Sequence, residues 1–174
     1  GMLFKYHAAC YGTHAAIEAA RVVRSTHGVT PDEIENVELH VPSGYFKMCN
    51  IREPRTGLEG KFSLRFTTAM GLLGEDTSSM DSYSVEKCTH PAVIAMRDRI
   101  KVVANDDLEN DHAVADIILT KKNGSVVRQS GAVYEPETNQ SRQWSRLTEK
   151  FNSLAMPVIG ADKAGQIVDN VGAL

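Results

Sequence analysis

Ala113-Val114-Ala115-Asp116-Ile117-Ile118-Leu119-Thr120, a turn carrying Asn123-Gly124, and then Val126 to Tyr134 predict two antiparallel strands. Asn123-Gly124 is a strong signal for a hairpin joining them. Upstream, Ile100 to Val103 reads as another strand. Further upstream, Val37, Leu39 and Val41 alternate with Glu38 and His40, the period of a half-buried strand, and Pro42 closes the run. The hairpin and these two runs predict a mainly antiparallel sheet of about four strands.

Helices surround these runs. From about Thr13 to His27, Ile17, Ala20 and Val23 share one face, with Glu18, Arg21 and Arg24 mostly on the other, and Gly28 just past the end. Thr30-Pro31-Asp32-Glu33 reads as a single capped turn, with Thr30 as N-cap, Pro31 first and Glu33 reaching back. Residues 43–60, with Pro54, Gly57 and Gly60, read as a long irregular loop. A helix follows from about Ser63 to Leu73, stopped by Gly74, and Pro91 opens another containing Val93, Ile94 and Arg97. From Ser141 the character changes: Trp144, Leu147, Phe151 and Leu154 form a helical stripe that Pro157 is expected to break. A last helix over about Asp162 to Val171 follows. The fold class is α+β, with flanking helices and a C-terminal helical pair.

Bulk properties narrow the function. A chain of 174 residues is long enough to bury a core without staples. Its 19 Lys and Arg are scattered and its net charge is −3, which argues against a nucleic-acid partner. No apolar run is long enough to span a bilayer, and no signal peptide is visible, so no membrane partner is expected and the cytoplasm is the default compartment. Gly1 ahead of Met2 reads as a residual tag. Cys10, Cys49 and Cys88 are far apart with no C-x-x-C pair, which fits reduced thiols rather than a zinc site. Asp106, Asp107, Glu109 and Asp111 lack the glycine and closing glutamate of a calcium loop and read as a solvated turn. No metal and no cofactor are expected.

The chemistry concentrates at the front. Lys5-Tyr6-His7-Ala8-Ala9-Cys10-Tyr11-Gly12-Thr13-His14 packs Lys5, His7, Cys10 and His14 into ten residues just before a helix. Free amides at a helix start favour anions, and the flanking Lys and His add to that, so a small carboxylated substrate fits. Lys5 sits among apolar Leu3, Phe4 and Tyr6, which makes a purely solvated lysine less natural. Read alone, His14 is a residue at a helix start bonded to backbone, Lys61 a surface lysine, and Cys10 a small apolar side chain. His40, His90 and His112 read as solvent-facing or loop residues, and the Trp144 stripe as packing.

Three separated segments add a resemblance. The opening Lys-aromatic-x-x-x-Cys-x-x-Thr-His runs into Ala15-Ala16-Ile17-Glu18-Ala19. Thr30-Pro31-Asp32-Glu33-Ile34-Glu35-Asn36-Val37-Glu38 feeds a strand, and Gly60-Lys61-Phe62-Ser63-Leu64 opens a helix containing Thr67 to Gly71. In this order they resemble the C-terminal half of the MmgE/PrpD family, typified by 2-methylcitrate dehydratase, cis-aconitate decarboxylase and iminodisuccinate epimerase. The late Leu147-Thr148-Glu149-Lys150-Phe151 and Gln166-Ile167-Val168 segments share the likeness.

The resemblance implies a cofactor-independent lyase or isomerase acting on small di- and tricarboxylates by acid–base proton transfer. It implies that Lys5 binds a substrate carboxylate, that His14 orients substrate or organises the pocket, and that His7, Cys10, Lys61 and Ser63 contribute to substrate binding. Phe66 stands where many members carry tyrosine, and Cys10 where some carry histidine. The resemblance also implies a lid-like α+β domain over residues 1–140, and helices over 141–174 that pack on a helical domain which this chain lacks. Alone, such a chain holds half a pocket and is expected to be inactive. Uncovered apolar faces on the last two helices predict a homodimer. The competing reading is a non-catalytic small-anion-binding or assembly module derived from the same family. A thiol enzyme built on Cys10 and His14 would need an activating base and a pocket.

Overall fold

In the computed structural model, which describes residues 2–108 and 112–173, the backbone builds one sheet and packs its principal helices against one face. The strands are β1 (Ile34–Pro42), β2 (Ile100–Asn105), β3 (Val114–Lys121) and β4 (Val126–Ala132). Their order is β2-β1-β3-β4, with β1 parallel to β2 and the other two pairings antiparallel. The α+β class and the mainly antiparallel four-stranded sheet are therefore as the sequence implies. Glu109 and Asp111 of the acidic run lie outside the described residues. Asp106 accepts a bond from the Ser43 hydroxyl, and Asn105 accepts from the Asp107 N–H at 3.0 Å.

Register follows the alternation of side chains. Val37, Leu39 and Val41 on β1 and Ala115, Ile117 and Leu119 on β3 are buried on the face covered by helices. The alternate residues, Glu38 and His40 among them, face outward, where Glu38 pairs with Lys101 at 3.1 Å. At the foot of β1, Glu33 accepts a bond from the Thr30 backbone N–H at 2.8 Å, which forms the capped turn expected there.

Helix α1 (His14–Ser25) lies between the sheet and α4 (Leu64–Leu73). Its alanines make this possible: Ala15, Ala16, Ala19 and Ala20 are all buried, and two glycines answer them. A Cβ at Gly131 of β4 would stand 2.2 Å from the Ala15 carbonyl oxygen, and one at Gly71 of α4 would stand 2.8 Å from the Ala20 Cβ. Small residues on both sides bring backbones to contact distance, where side chains of ordinary size would hold them apart. Ser63 caps α4 and Gly74, at φ +79°, ends it in the left-handed region.

Two expectations need correction. Residues 43–60 are not one irregular loop: α2 (Ser43–Met48) and α3 (Gly57–Lys61) form within and just past it. The signal for α3 was present as Thr56-Gly57-Leu58-Glu59, a reciprocal cap in which Glu59 Oε2 accepts from the Thr56 N–H at 3.0 Å. A five-residue helix, α5 (Val85–Thr89), also precedes α6 (Pro91–Arg97), where His90 serves as N-cap. The second correction concerns Pro157, which does not break its helix. Helix α7 runs over Gln140–Ile159, and Gly160, at φ +83°, makes the turn into α8 (Ala161–Gly172). Pro157 sits in the final turn, so it removes a single late hydrogen bond.

The α7–α8 pair differs from the rest. No α7 side chain is buried, and in α8 only Ala164 is. Trp144, Leu154, Ile167 and Val171 remain exposed, so the Trp144 stripe does not form a closed core, although the indole lies beside Gly172. Among the described residues no helix is long and apolar enough to cross a membrane.

Candidate functional site

The segment before α1 is irregular, bends over residues 7–9, and is tied down by backbone bonds. Ala8 N–H donates to the Thr77 carbonyl at 2.9 Å and Cys10 N–H to the Lys61 carbonyl at 3.0 Å. A turn over Tyr11–Thr13 then leads into α1, with the Thr13 hydroxyl donating to the Cys10 carbonyl at 2.8 Å. Tyr11 donates to the Val133 carbonyl at 2.7 Å, which fixes the turn against the end of β4. The bond from Cys10 to Lys61 places the first and third of the signature segments side by side.

Within this frame His7 and His14 are both buried, with ring centres 4.9 Å apart in an edge-to-face contact. His7 Nε2 is 2.7 Å from Glu18 Oε1, and Nδ1 is 2.7 Å from the Thr77 hydroxyl. A carboxylate can only accept, which assigns the ring proton to Nε2 and leaves Nδ1 to accept from Thr77. Burial lowers the His7 pKa, so the imidazole is held neutral. Burial, reinforced by His7 and by the charges of Lys5 and Lys150, pushes His14 down to about 3. Burial opposes ionisation of Glu18, yet the bond from His7 and the nearby Arg146 and Arg21 hold its carboxyl at about 2.

The other expected residues are placed as follows. Lys5 is exposed, and no described residue pairs with its ammonium, while its carbonyl accepts from Lys150 Nζ. Lys61 is half-buried, its Nζ 3.3 Å from Met80 Sδ and 5.6 Å from the Tyr83 ring centre, without an acidic partner among the described residues. Cys10 is half-buried and its thiol points to Met48 Sδ at 3.9 Å. Ser63 is fully buried: its hydroxyl donates to the Ile51 carbonyl at 2.6 Å and accepts from the Phe66 N–H at 3.2 Å. Its one proton is thereby used inside the fold. Phe66 is buried beside Tyr83, with ring centres 6.2 Å apart. His112 stacks on Tyr134 at 4.3 Å, and His27 bonds Gln129 at 2.9 Å.

Two clefts flank α1. The larger, about 880 Å³, lies between α1, the end of β4 and α7, and His14, Glu18, Arg21, Arg142 and Arg146 line it. The smaller, about 570 Å³, is bounded by Arg21, Arg24, the 74–78 loop and α7. Of the six expected site residues only His14 lines either cleft. Lys5, His7, Cys10, Lys61 and Ser63 do not.

Several participants were not singled out from sequence. Arg146 pairs with Glu18 and stacks on the Tyr6 ring, 3.8 Å from its centre. Lys150 reaches the Lys5 carbonyl, and Ser153 donates to Asp76 at 2.9 Å. Thr77 completes the His7 network. Their partners lie 70 to 145 positions away along the chain, so no local pattern could have announced them. Glu18 was visible as the residue one turn after His14, on the polar side of the helix. Among the described residues no group of three or more His, Cys, Asp or Glu gathers as metal ligands.

Comparison with known families gives one finding. The profile described as the MmgE/PrpD C-terminal domain matches residues 7–173. Among curated proteins none matches the chain.

Proposed function

The chain belongs to the MmgE/PrpD family, matching its C-terminal domain, and from that premise we propose that it supplies the carboxylate-holding half of a lyase or isomerase for small di- or tricarboxylates. The observation that supports this reading most directly is the pair of ammonium groups, on Lys5 and Lys61, that lack acidic partners among the described residues. The segments carrying them are joined by the bond from Cys10 to Lys61. An uncompensated lysine at a tied-down position is a ready partner for a carboxylate, and two suit a substrate with more than one.

In this reading Lys5 holds one carboxylate, Lys61 favours a second, and Cys10 borders the substrate between them. His7 and His14 act as neutral imidazoles. With a pKa depressed to about 3, His14 is uncharged at neutral pH and serves to orient rather than to deliver a proton. The group that moves the proton next to the carboxylate then comes from the helical domain, which a C-terminal domain implies as partner. The chain alone is inactive. Without that helical domain, a second copy covers the apolar residues exposed on α7 and α8, giving a cytoplasmic homodimer.

The test is to supply a family helical domain in trans and assay citrate-like substrates. Turnover is expected, with Lys5→Ala lowering kcat/KM about 10- to 100-fold, the loss of one charge-assisted bond. Absence of turnover together with absence of any substrate-induced thermal shift contradicts the reading.

A specific observation favours a second reading, a module that binds small anions without catalysis. Phe66 places no hydroxyl where many relatives carry tyrosine, and both histidines near the site are held neutral. Under that reading Lys5→Ala leaves ligand affinity unchanged.

A further inference from the structure

His14 lines the larger cleft, yet its own bonds hold it loosely. Its Nε2 lies 3.4 Å from the Ala9 carbonyl oxygen, beyond the range of a good hydrogen bond. Two neighbouring rings do the rest: His7, edge to face with centres 4.9 Å apart, and Tyr11, with centres 5.6 Å apart. Tyr11 is anchored through its hydroxyl to the Val133 carbonyl at 2.7 Å. His7 is anchored at both ends, by the Thr77 hydroxyl at Nδ1 and by Glu18 Oε1 at Nε2, each at 2.7 Å. That same Glu18 oxygen also accepts from Arg146 of α7, whose guanidinium lies over the Tyr6 ring. One half-buried carboxylate is therefore shared between an imidazole of the site segment and a guanidinium of α7.

We propose that Glu18 is a positioning residue: acting through His7 it sets the plane of the His14 ring, and its bond to Arg146 makes that setting depend on the docking of α7. A neutral imidazole carries one ring proton and can place it on either nitrogen. The Glu18 carboxylate can only accept, so it selects the Nε2–H form and leaves Nδ1 to accept from Thr77. A ring bonded at both ends cannot turn without breaking both bonds, so its plane is fixed. His14 packs edge to face on that ring, and such a contact loses its geometry when either ring turns. Arg146 compensates the carboxylate, which would otherwise be drawn out toward water and leave the His7 Nε2–H without an acceptor. Resting on the functional reading above, in which His14 orients substrate, that orientation is correct only while α7 is docked on the body.

Imidazole nitrogen spectra of the chain with labelled histidines test this with neither substrate nor helical domain, so failure here is distinct from failure of the functional reading. In wild type, His7 is expected as the Nε2–H form. Glu18→Met should move the His7 proton to Nδ1, where the Thr77 hydroxyl accepts it, and displace the His14 ring resonances. Glu18→Gln, whose amide oxygen still accepts from Nε2–H, should keep the wild-type form of His7 and displace His14 less. Arg146→Met should displace the His14 resonances in the same direction as Glu18→Met. If Glu18→Met does not fold, Thr77→Val cuts the other bond of His7 and should displace His14 in its place. His14 resonances that stay put in Glu18→Met, in Arg146→Met or in Thr77→Val overturn the proposal, and so does a displacement in Glu18→Gln as large as that in Glu18→Met.

Discussion

The sheet with α1 and α4 and the α7–α8 pair are held by different forces. In the first, α1 is buried between β-sheet and helix, with alanines and glycines bringing backbones together. In the second, α7 buries none of its side chains and touches the body through polar groups: Arg146 with Glu18 and Tyr6, Lys150 with the Lys5 carbonyl, Ser153 with Asp76. Close packing tolerates little change, whereas exposed polar contacts contribute little each and separate easily. The candidate site lies on the border between the two. The Lys5–His14 segment is fixed to the body by backbone bonds and serves as the landing place for α7.

Breaking the body should have the largest effect. Gly131→Val drives a side chain into the Ala15 carbonyl, and should cost about 3 kcal/mol or more in chemical denaturation. Val158→Ser, at 82 % exposure on α7, should change stability by less than about 0.5 kcal/mol. Equal effects from the two would erase the distinction.

The buried histidines sharpen the comparison through pH. His14 has a folded pKa of about 3 against an ordinary 6.5, so the unfolded chain binds more protons between those values. The stability that neutral His14 provides is complete above pH 6.5 and is lost as pH falls toward 3. Glu18 adds its own loss at lower pH, from 4.5 down through about 2. Between pH 6.5 and 5 only the histidines respond, so denaturation midpoints of wild type should fall across that window, and those of His14→Gln should fall less. An unchanged slope in His14→Gln would remove this residue from the account.

A smaller effect is expected at the border. Arg146→Ala removes the contact with Glu18 and Tyr6 and should raise amide exchange throughout α7 while leaving β1 and β3 protected. Global stability should fall by about 1 kcal/mol or less, as befits a partly exposed ion pair. Loss of protection in the strands would show that the two regions form one cooperative unit.

This division also marks what was legible in the sequence. The Asn123-Gly124 turn, the alternation in Val37-Glu38-Leu39-His40-Val41, the Thr30–Glu33 cap and the Ser63 and Gly74 ends of α4 are local signals, and the structure follows them. Thr56 to Glu59 carried an equally local signal that was hidden among nearby glycines and a proline. Pro157 misled because its cost depends on distance from the helix end. For the site, the residue types at Lys5, His7, Cys10 and His14 were visible. That His7 is tied to Glu18 and Thr77, and that Ser63 spends its proton on Ile51, depends on pairings made only in three dimensions.

The most direct test of the carboxylate reading is to titrate isotope-labelled chain with a tricarboxylate and follow its backbone amide resonances, in wild type and in Lys5→Ala. Shifts confined to residues 5–14 and 60–63, weakened at least tenfold in affinity by Lys5→Ala, are the predicted result. Shifts elsewhere, or an affinity that Lys5→Ala does not alter, would contradict it.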